Sequence, residues 1–317
     1  MLSAKDIVEM LHSEYLHIRK DVMWACVGRS DIDAKLIENG LRDEWWKIRE
    51  AAYKACIGRS DIDSKLIEKG LRDENWMVRA AAYKACVGRS DIDSKLIEKG
   101  LGDEDCVVRR SAYEACVGRS DIDVELIEKG LGDENYVVRS SAYKACVGRS
   151  DIDSKLIENG LRDEYWVVRG AAFNACVGRN DIDPKLLETG LCNWVCDVRK
   201  SAYKALKKSG HKIPLKRTFE PPTTVYKKCR NDVIVCATIP DNAQVRGKDG
   251  YKCRASAAVI TDVIGDLKGE KVGVSLYDRT INYNIGDTIE IDDFDYSNED
   301  CSTGFHFFCT LEEATEY

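Results

Sequence analysis

The histidine best suited to chemistry is His306, in the run Gly304-Phe305-His306-Phe307-Phe308. An imidazole there could act as a general base, or join Cys301 and Cys309 on a metal. The spacing C-x4-H-x2-C matches no common zinc pattern and brings no fourth ligand, although Cys229 or Cys253 could approach in the fold. A strand histidine among aromatics is more often a core residue. The expectation is therefore no metal, no cofactor and no catalytic group, with His306 kept as the catalytic candidate and Cys301, His306 and Cys309 as the metal candidates. There is no phosphate-binding glycine loop, no HExxH and no nucleophile elbow. No small-molecule substrate is implied. Of the other histidines, His12 and His17 are expected to face solvent.

More of the chain's polar residues fall in ladders. Arg19, Arg49, Arg79, Arg109, Arg139, Arg169 and Arg199 recur every thirty residues, as do Asp43, Asp73, Asp103, Asp133 and Asp163. Arg29 to Arg179 form a second arginine series beside Asp31 to Asp181. An arginine stripe could track phosphates, but matched opposite charges cancel the field that a polyanion needs. The preferred reading is that each arginine ties an aspartate at a turn between helices.

These ladders belong to an internal repeat. ACVGRSDID begins at Ala25, with near-copies at Ala55, Ala85, Ala115, Ala145 and Ala175. In residues 61–90, Asp63 is the expected N-cap of a short first helix and Gly70 its left-handed stop. Asp73 is the expected cap of a second helix running through Trp76, Val78, Ala82, Tyr83, Ala85 and Cys86 to Gly88. Val78, Ala82, Ala85 and Cys86 form one apolar stripe. Neither helix buries its stripe alone, so units must stack. Seven units are expected to build a curved rod roughly 60–70 Å long.

The pattern LxDExxxVRxAAYxAC resembles the short HEAT-type helical repeat over about residues 1–210. The resemblance implies an α solenoid, with residues 1–30 as N-terminal cap and 181–210 as C-terminal cap. It leaves function open, because such arrays serve as scaffolds, adaptors, inhibitors and sometimes enzymes.

Composition narrows the classes. The chain carries 48 Lys and Arg against 55 Asp and Glu, a net charge of −7. The repeat section is nearly balanced and the tail acidic, which argues against general nucleic-acid binding. No apolar run is long enough to span a membrane, and the N-terminal segment lacks a signal-peptide pattern. Six of the fourteen cysteines occupy one repeat slot, about one repeat apart and too far for disulfides. They read as small core residues of a reduced, intracellular protein.

Residues 211–223 read as a linker, and 224–317 as a β-rich α+β module. Its strand-like runs are TVYKKCR, VIVCATIP, AAVITDVIG, KVGVSLYD, INYNIGDTIEI and GFHFFCT, with turns at Lys248-Asp249-Gly250 and Ile285-Gly286-Asp287. The segments VYKKC, KCRASAAVI, YNIGDTIEIDDFD and CSTGFHFFCTLEEATEY resemble an uncharacterised C-terminal domain found after pentapeptide and other repeats in phage and large-DNA-virus proteins. That resemblance covers about residues 218–317 and implies a viral or virus-derived protein. G-x-H-F-F followed by E-E-A-x-x-Y also resembles the strand-then-helix element of ADP-ribosyltransferase-like folds. There the aromatic and histidine positions hold a nicotinamide cofactor.

The expected function is a non-enzymatic protein-binding scaffold or adaptor. Its partner-binding residues would lie on the varied stripe of the second helices: Trp46, Glu50, Trp76, Lys84, Arg110, Glu114, Tyr136, Lys144, Trp166, Lys200 and Lys204. The plainer reading of that stripe is aromatic packing between units and a solvated polar face. Two further readings are an ADP-ribosyltransferase-like enzyme in the C-terminal module, with the array as targeting arm, and nucleic-acid binding along the arginines. Self-association through the array ends is also open.

Overall fold

The computed structural model describes residues 4–11, 13–211, 213, 218, 220–247, 252–265, 271–297 and 302–317. Cys301, His12 and the turn at Lys248-Asp249-Gly250 lie outside the described residues. The chain divides into two compact units, residues 1–176 and 177–317. The division falls one helix pair earlier than the expected domain boundary at 210.

The first unit is a tandem array of helices. They are α1 (Ala4–Leu11), α2 (Leu16–Ala25), α3 (Ala34–Gly40), α4 (Trp46–Ala55), α5 (Ser64–Gly70), α6 (Trp76–Ala85), α7 (Ser94–Leu101), α8 (Cys106–Ala115), α9 (Val124–Leu131), α10 (Tyr136–Ala145), α11 (Ser154–Gly160) and α12 (Trp166–Ala175). The even-numbered helices from α2 to α12 pack in series, and each also packs on the shorter helix before it. Val78, Ala82, Ala85 and Cys86 are all buried, as the stripe requires. Small residues there let backbones approach closely.

Asp63 caps α5 as expected, accepting from the Lys65 N–H at 2.9 Å. Two other expectations fail. Asp73 does not cap α6. Asn75 does, accepting from the Met77 N–H at 2.9 Å, while Asp73 accepts from the Asn75 N–H in the turn before it. The tight turn needs its own acceptor, so the cap moves two residues on.

Gly70 is not a left-handed stop either. It is the last residue of α5, and a Cβ there would lie 2.2 Å from Cζ of Tyr53 in the preceding unit. That phenol donates to the Leu66 carbonyl at 2.9 Å, so glycine is needed for close approach. The left-handed position is Gly88, at φ +75° after α6.

The second unit begins with α13 (Pro184–Gly190) and α14 (Cys196–Lys208). The β-rich part follows: β1 (Val225–Lys228), β2 (Ile234–Thr238), β3 (Val245–Arg246), β4 (Cys253–Ala255), β5 (Ala257–Ile264), β6 (Val272–Val274), β7 (Asn282–Asn284), β8 (Thr288–Glu290), β9 (Phe305–Phe307) and α15 (Leu311–Glu316). Three antiparallel sheets form, in the orders β1-β2-β5-β8, β3-β4-β9 and β6-β7. Pairing of Tyr226 with Phe308 links the first two. Their shared core includes Val225, Cys229, Val235, Cys253, Ile260, Phe305 and Phe307. The expected runs hold strands, and the turn at 285–287 divides INYNIGDTIEI into β7 and β8. The short strands β3 and β4 were not anticipated, because two or three residues carry no readable alternation.

Candidate functional site

The arginine ladder is a frame. Arg49 reaches forward to Asp73, with Nε at 2.7 Å and Nη2 at 2.9 Å from the two carboxylate oxygens. Its Nη1 donates back to the Asp43 and Glu44 carbonyls at 3.0 and 2.9 Å. Each guanidinium thus closes its own unit's turn and the next unit's turn together. Arg19, Arg79, Arg109 and Arg139 repeat this with Asp43, Asp103, Asp133 and Asp163. The second series runs the opposite way. Arg89 pairs with Asp91 and donates back to the Arg59 and Ile62 carbonyls at 3.2 and 2.9 Å.

The repeat-slot cysteines are buried and in no disulfide, each thiol donating to the carbonyl four residues earlier, as Cys56 does to Ala52 at 3.2 Å. Burial pushes the Cys56, Cys86 and Cys116 thiols up to about 12, which leaves them unreactive.

The varied stripe lies at the edge of the second helices. Trp76, Tyr136 and Trp166 are 38–41% exposed, and Lys144 is exposed. Trp46 and Lys84 are half-buried. Three stripe members are committed within their own helices: Glu50 takes Lys54 at 2.7 Å, and Glu114 and Arg110 pair with each other at 2.9 Å. Tyr136 stacks on Tyr165, ring centres 4.2 Å apart and 10° from parallel. Lys54 sits 4.3 Å over the Trp24 ring. Tyr165 and Trp24 therefore extend a stripe that spacing alone did not include. In the second unit, Lys200 is half-buried on α14 and Lys204 exposed.

Arg199 on α14 keeps the ladder's geometry with a different partner. Its Nη1 donates to the Asn193 and Trp194 carbonyls at 2.9 Å each, and Nε and Nη2 grip Asp295 at 2.7 and 3.1 Å. Asp295 is fully buried in the β-rich part and also accepts from the Ser297 N–H, the Ser297 and Ser302 hydroxyls and the Cys196 thiol. Burial pushes its carboxyl up, but Arg199, Ser302 and Ser297 overcome this and hold it far below the usual range. The β-rich part thus supplies the aspartate that a following repeat would have supplied. The sequence held a signal: counting twenty-four residues on from Arg199 reaches Thr223, not aspartate.

An open cleft of about 490 Å³ lies within the second unit, bordered by His306, Lys227, Tyr283, Tyr277, Ser275 and Lys200 among others. His306 is half-buried at the middle of β9, between the buried Phe305 and Phe307. It faces the cleft, whereas Cys309 packs in the core with Cys229 and Cys253. This separates the metal candidates His306 and Cys309. Among the described residues no group of three His, Cys, Asp or Glu side chains could hold a metal ion. Lys227, outside the expected site residues, borders the cleft from β1. In Val225-x-Lys227-x-Cys229 it occupies an inward position between two core residues, a pattern readable from alternation.

The chain is a helical-repeat array followed by a β-rich module. Residues 211–314 of that module match a family of unknown function, DUF5758. No curated protein matches the chain. Among solved structures, an engineered protein aligns at 14% identity over 66% of this chain and 68% of its own, with a TM-score of 0.44. The YibA protein of Escherichia coli aligns at 20% identity over 66% and 83%, with a TM-score of 0.48. The complex of CpcE and CpcF of phycocyanin lyase from Nostoc sp. PCC7120 aligns at 17% identity over 67% and 90%, with a TM-score of 0.45. Likenesses this distant bear on neither partner nor activity. No helix among the described residues is long and apolar enough to cross a membrane.

Proposed function

We propose that this chain is a non-enzymatic protein-binding scaffold: a HEAT-type solenoid, viral or virus-derived, presenting the second-helix edge to a protein partner. The observation that carries the reading is the aromatic edge. Trp76, Tyr136, Tyr165 and Trp166 stay 38–41% exposed, whereas the ladder arginines Arg49, Arg79, Arg109 and Arg139 are held in ion pairs. Aromatic side chains on a rigid frame are the usual anchors of protein recognition. The paired ladders leave little field for a nucleic acid. In this reading the β-rich module ends the array by offering Asp295 to Arg199, and so lets one module follow a repeat section of any length.

The test is capture of the partner from the native host by the full chain and by a Trp76→Ala, Tyr136→Ala, Trp166→Ala variant. The expected result is loss of the partner with unchanged helical circular dichroism. A partner retained by the folded triple variant would remove the edge from the interface.

A further inference from the structure

Lys227 departs from lysines of the second unit that meet carboxylates. Lys207 pairs with Glu290 and Asp292, and Lys228 with Asp232. The Lys227 ammonium stands 5.2 Å from the Phe305 ring centre and 5.5 Å from that of Tyr283. Its hydrogen bond is a long one, 3.3 Å to the His306 carbonyl. An ammonium has three donors. Among the described residues, no carboxylate lies within ion-pair distance of it. Burial pushes its pKa down to about 8, with Lys252 adding repulsion against the pull of Cys229. A half-buried, partly desolvated cation of this kind costs stability that a partner from outside the fold would return.

The space it borders is suited to a small molecule. At about 490 Å³ the cleft lies in the range of ligand pockets. Ile281, Ile291 and the Tyr283 ring make its apolar wall. Asp278 and Asp293 stand on its border. Asp278 is occupied by its own loop, accepting from the Thr280 N–H at 2.9 Å and its hydroxyl at 2.7 Å. Lys200, also on the border, offsets one of these carboxylates, and the remaining rim charge disfavours a multiply charged anion more than a singly charged one. A singly charged group reaching Lys227 would gain more from the ammonium than it loses at the rim, because the screened rim charges act through water.

We propose that this cleft binds a small organic monocarboxylate with a planar apolar body, its carboxylate on Lys227 and its body against Ile281, Ile291 and Tyr283. The carboxylate supplies the counter-charge that the fold withholds and fills the spare donors with charge-assisted hydrogen bonds. The inference is independent of the array's partner, and concerns the β-rich module alone.

The experiment is calorimetric titration of the full chain, at constant ionic strength, with benzoate, its neutral analogue benzamide, acetate and inorganic phosphate. Benzoate is expected to bind about tenfold or more tightly than each of the others, the worth of one charge-assisted bond. Lys227→Met should abolish that preference and Lys271→Met should leave it. A second measurement needs no variant: limiting acetylation of the wild-type chain at pH 8, read by peptide mass mapping. Benzoate should protect Lys227 and leave Lys271 unprotected. Equal binding of benzamide and benzoate, phosphate binding as tightly as benzoate, or unprotected Lys227 would each overturn the proposal.

Discussion

The array and the β-rich module treat buried charge in opposite ways. In the array each inter-unit guanidinium from Arg19 to Arg139 meets a carboxylate in the same geometry, five times over. In the module the two extremes lie on neighbouring strands and loops. Asp295 has more partners than the ladder aspartate Asp73, and among the described residues Lys227 has a single long hydrogen bond. Repetition multiplies any residual charge along the stack, and five copies close theirs. Arg169 is the exception, its Nη1 held by the Asp163 and Glu164 carbonyls while its Nε is buried with no hydrogen-bond partner among the described residues. A module that occurs once can leave one group open, and a half-buried charge left open marks a place for something else.

The largest expected effect comes from the most satisfied group. Asp295→Ala strands the buried Arg199 guanidinium and should cost about 3–5 kcal/mol. Asp103→Ala removes a pair whose partners are 13–14% exposed, and water can reach the stranded Arg79. It should cost about 1–3 kcal/mol. Guanidinium denaturation of the full chain, with hydrogen exchange mapping which unit opens, separates the two. Equal losses would mean that the module's grip on α14 is no stronger than one repeat contact. The Asp295 carboxyl lies below its unfolded value, so its stabilisation is complete above about pH 4 and declines as pH falls below that.

Two glycines of the array give the next effect. Gly70→Ala drives a methyl into the Tyr53 ring and should cost about 2 kcal/mol through overpacking. Gly88→Ala meets nothing within 4 Å and should cost only about 1 kcal/mol, for a left-handed backbone. The ordering reverses if Gly70 is a stop signal and nothing more. Shifts in the denaturation midpoint decide it.

These glycines also show what the sequence made legible. Period and apolar stripe located the helix pairs, because periodicity reports which side chains share a face. They could not distinguish a glycine needed for φ from one needed for space, since both lie at helix ends. Asp73 and Asn75 are indistinguishable as caps by sequence for a similar reason: two acceptors two residues apart compete for one helix start. In the module, the runs that hold β2 and β5 were readable, and β3 and β4 were too short to be. The Arg199–Asp295 pair spans ninety-six residues, beyond any local pattern. Lys227 was visible in the alternation of Val225, Lys227 and Cys229, but its isolation needed Phe305 and Tyr283 brought beside it from distant strands.

Removing the open charge should stabilise the fold. Lys227→Met is expected to raise the melting temperature by roughly 2–4 °C, about 1 kcal/mol, because a partly enclosed ammonium becomes an apolar chain of similar length. The pH dependence carries the sign. Below pH 8 the lysine is protonated both folded and unfolded, and the full penalty applies. Between about 8 and 10.4 the unfolded chain keeps the proton that the folded one releases, so wild-type stability rises with pH. The advantage of Lys227→Met should therefore be constant below pH 8 and fade by about 10.4. A variant destabilised at pH 7 would show that the ammonium is an integral strut, like the array's arginines.

The smallest effect belongs to the exposed carboxylate of the second series. Asp91 pairs with Arg89, but its side chain is 52% exposed. Screening by solvent limits Asp91→Asn to about 0.5 kcal/mol or less. The Arg89 side chain lowers the Asp91 carboxyl, so what stabilisation exists is present above about pH 4 and is lost as pH falls through its folded value. Because Arg89 also donates to the Arg59 and Ile62 carbonyls, Arg89→Ala should cost more than Asp91→Asn, by about 1 kcal/mol for the stranded carbonyls. Measured at 0.5 M salt, the Asp91→Asn difference should vanish and the Arg89→Ala difference persist. If both vanish together, the second arginine series is surface charge alone and contributes nothing to joining the units.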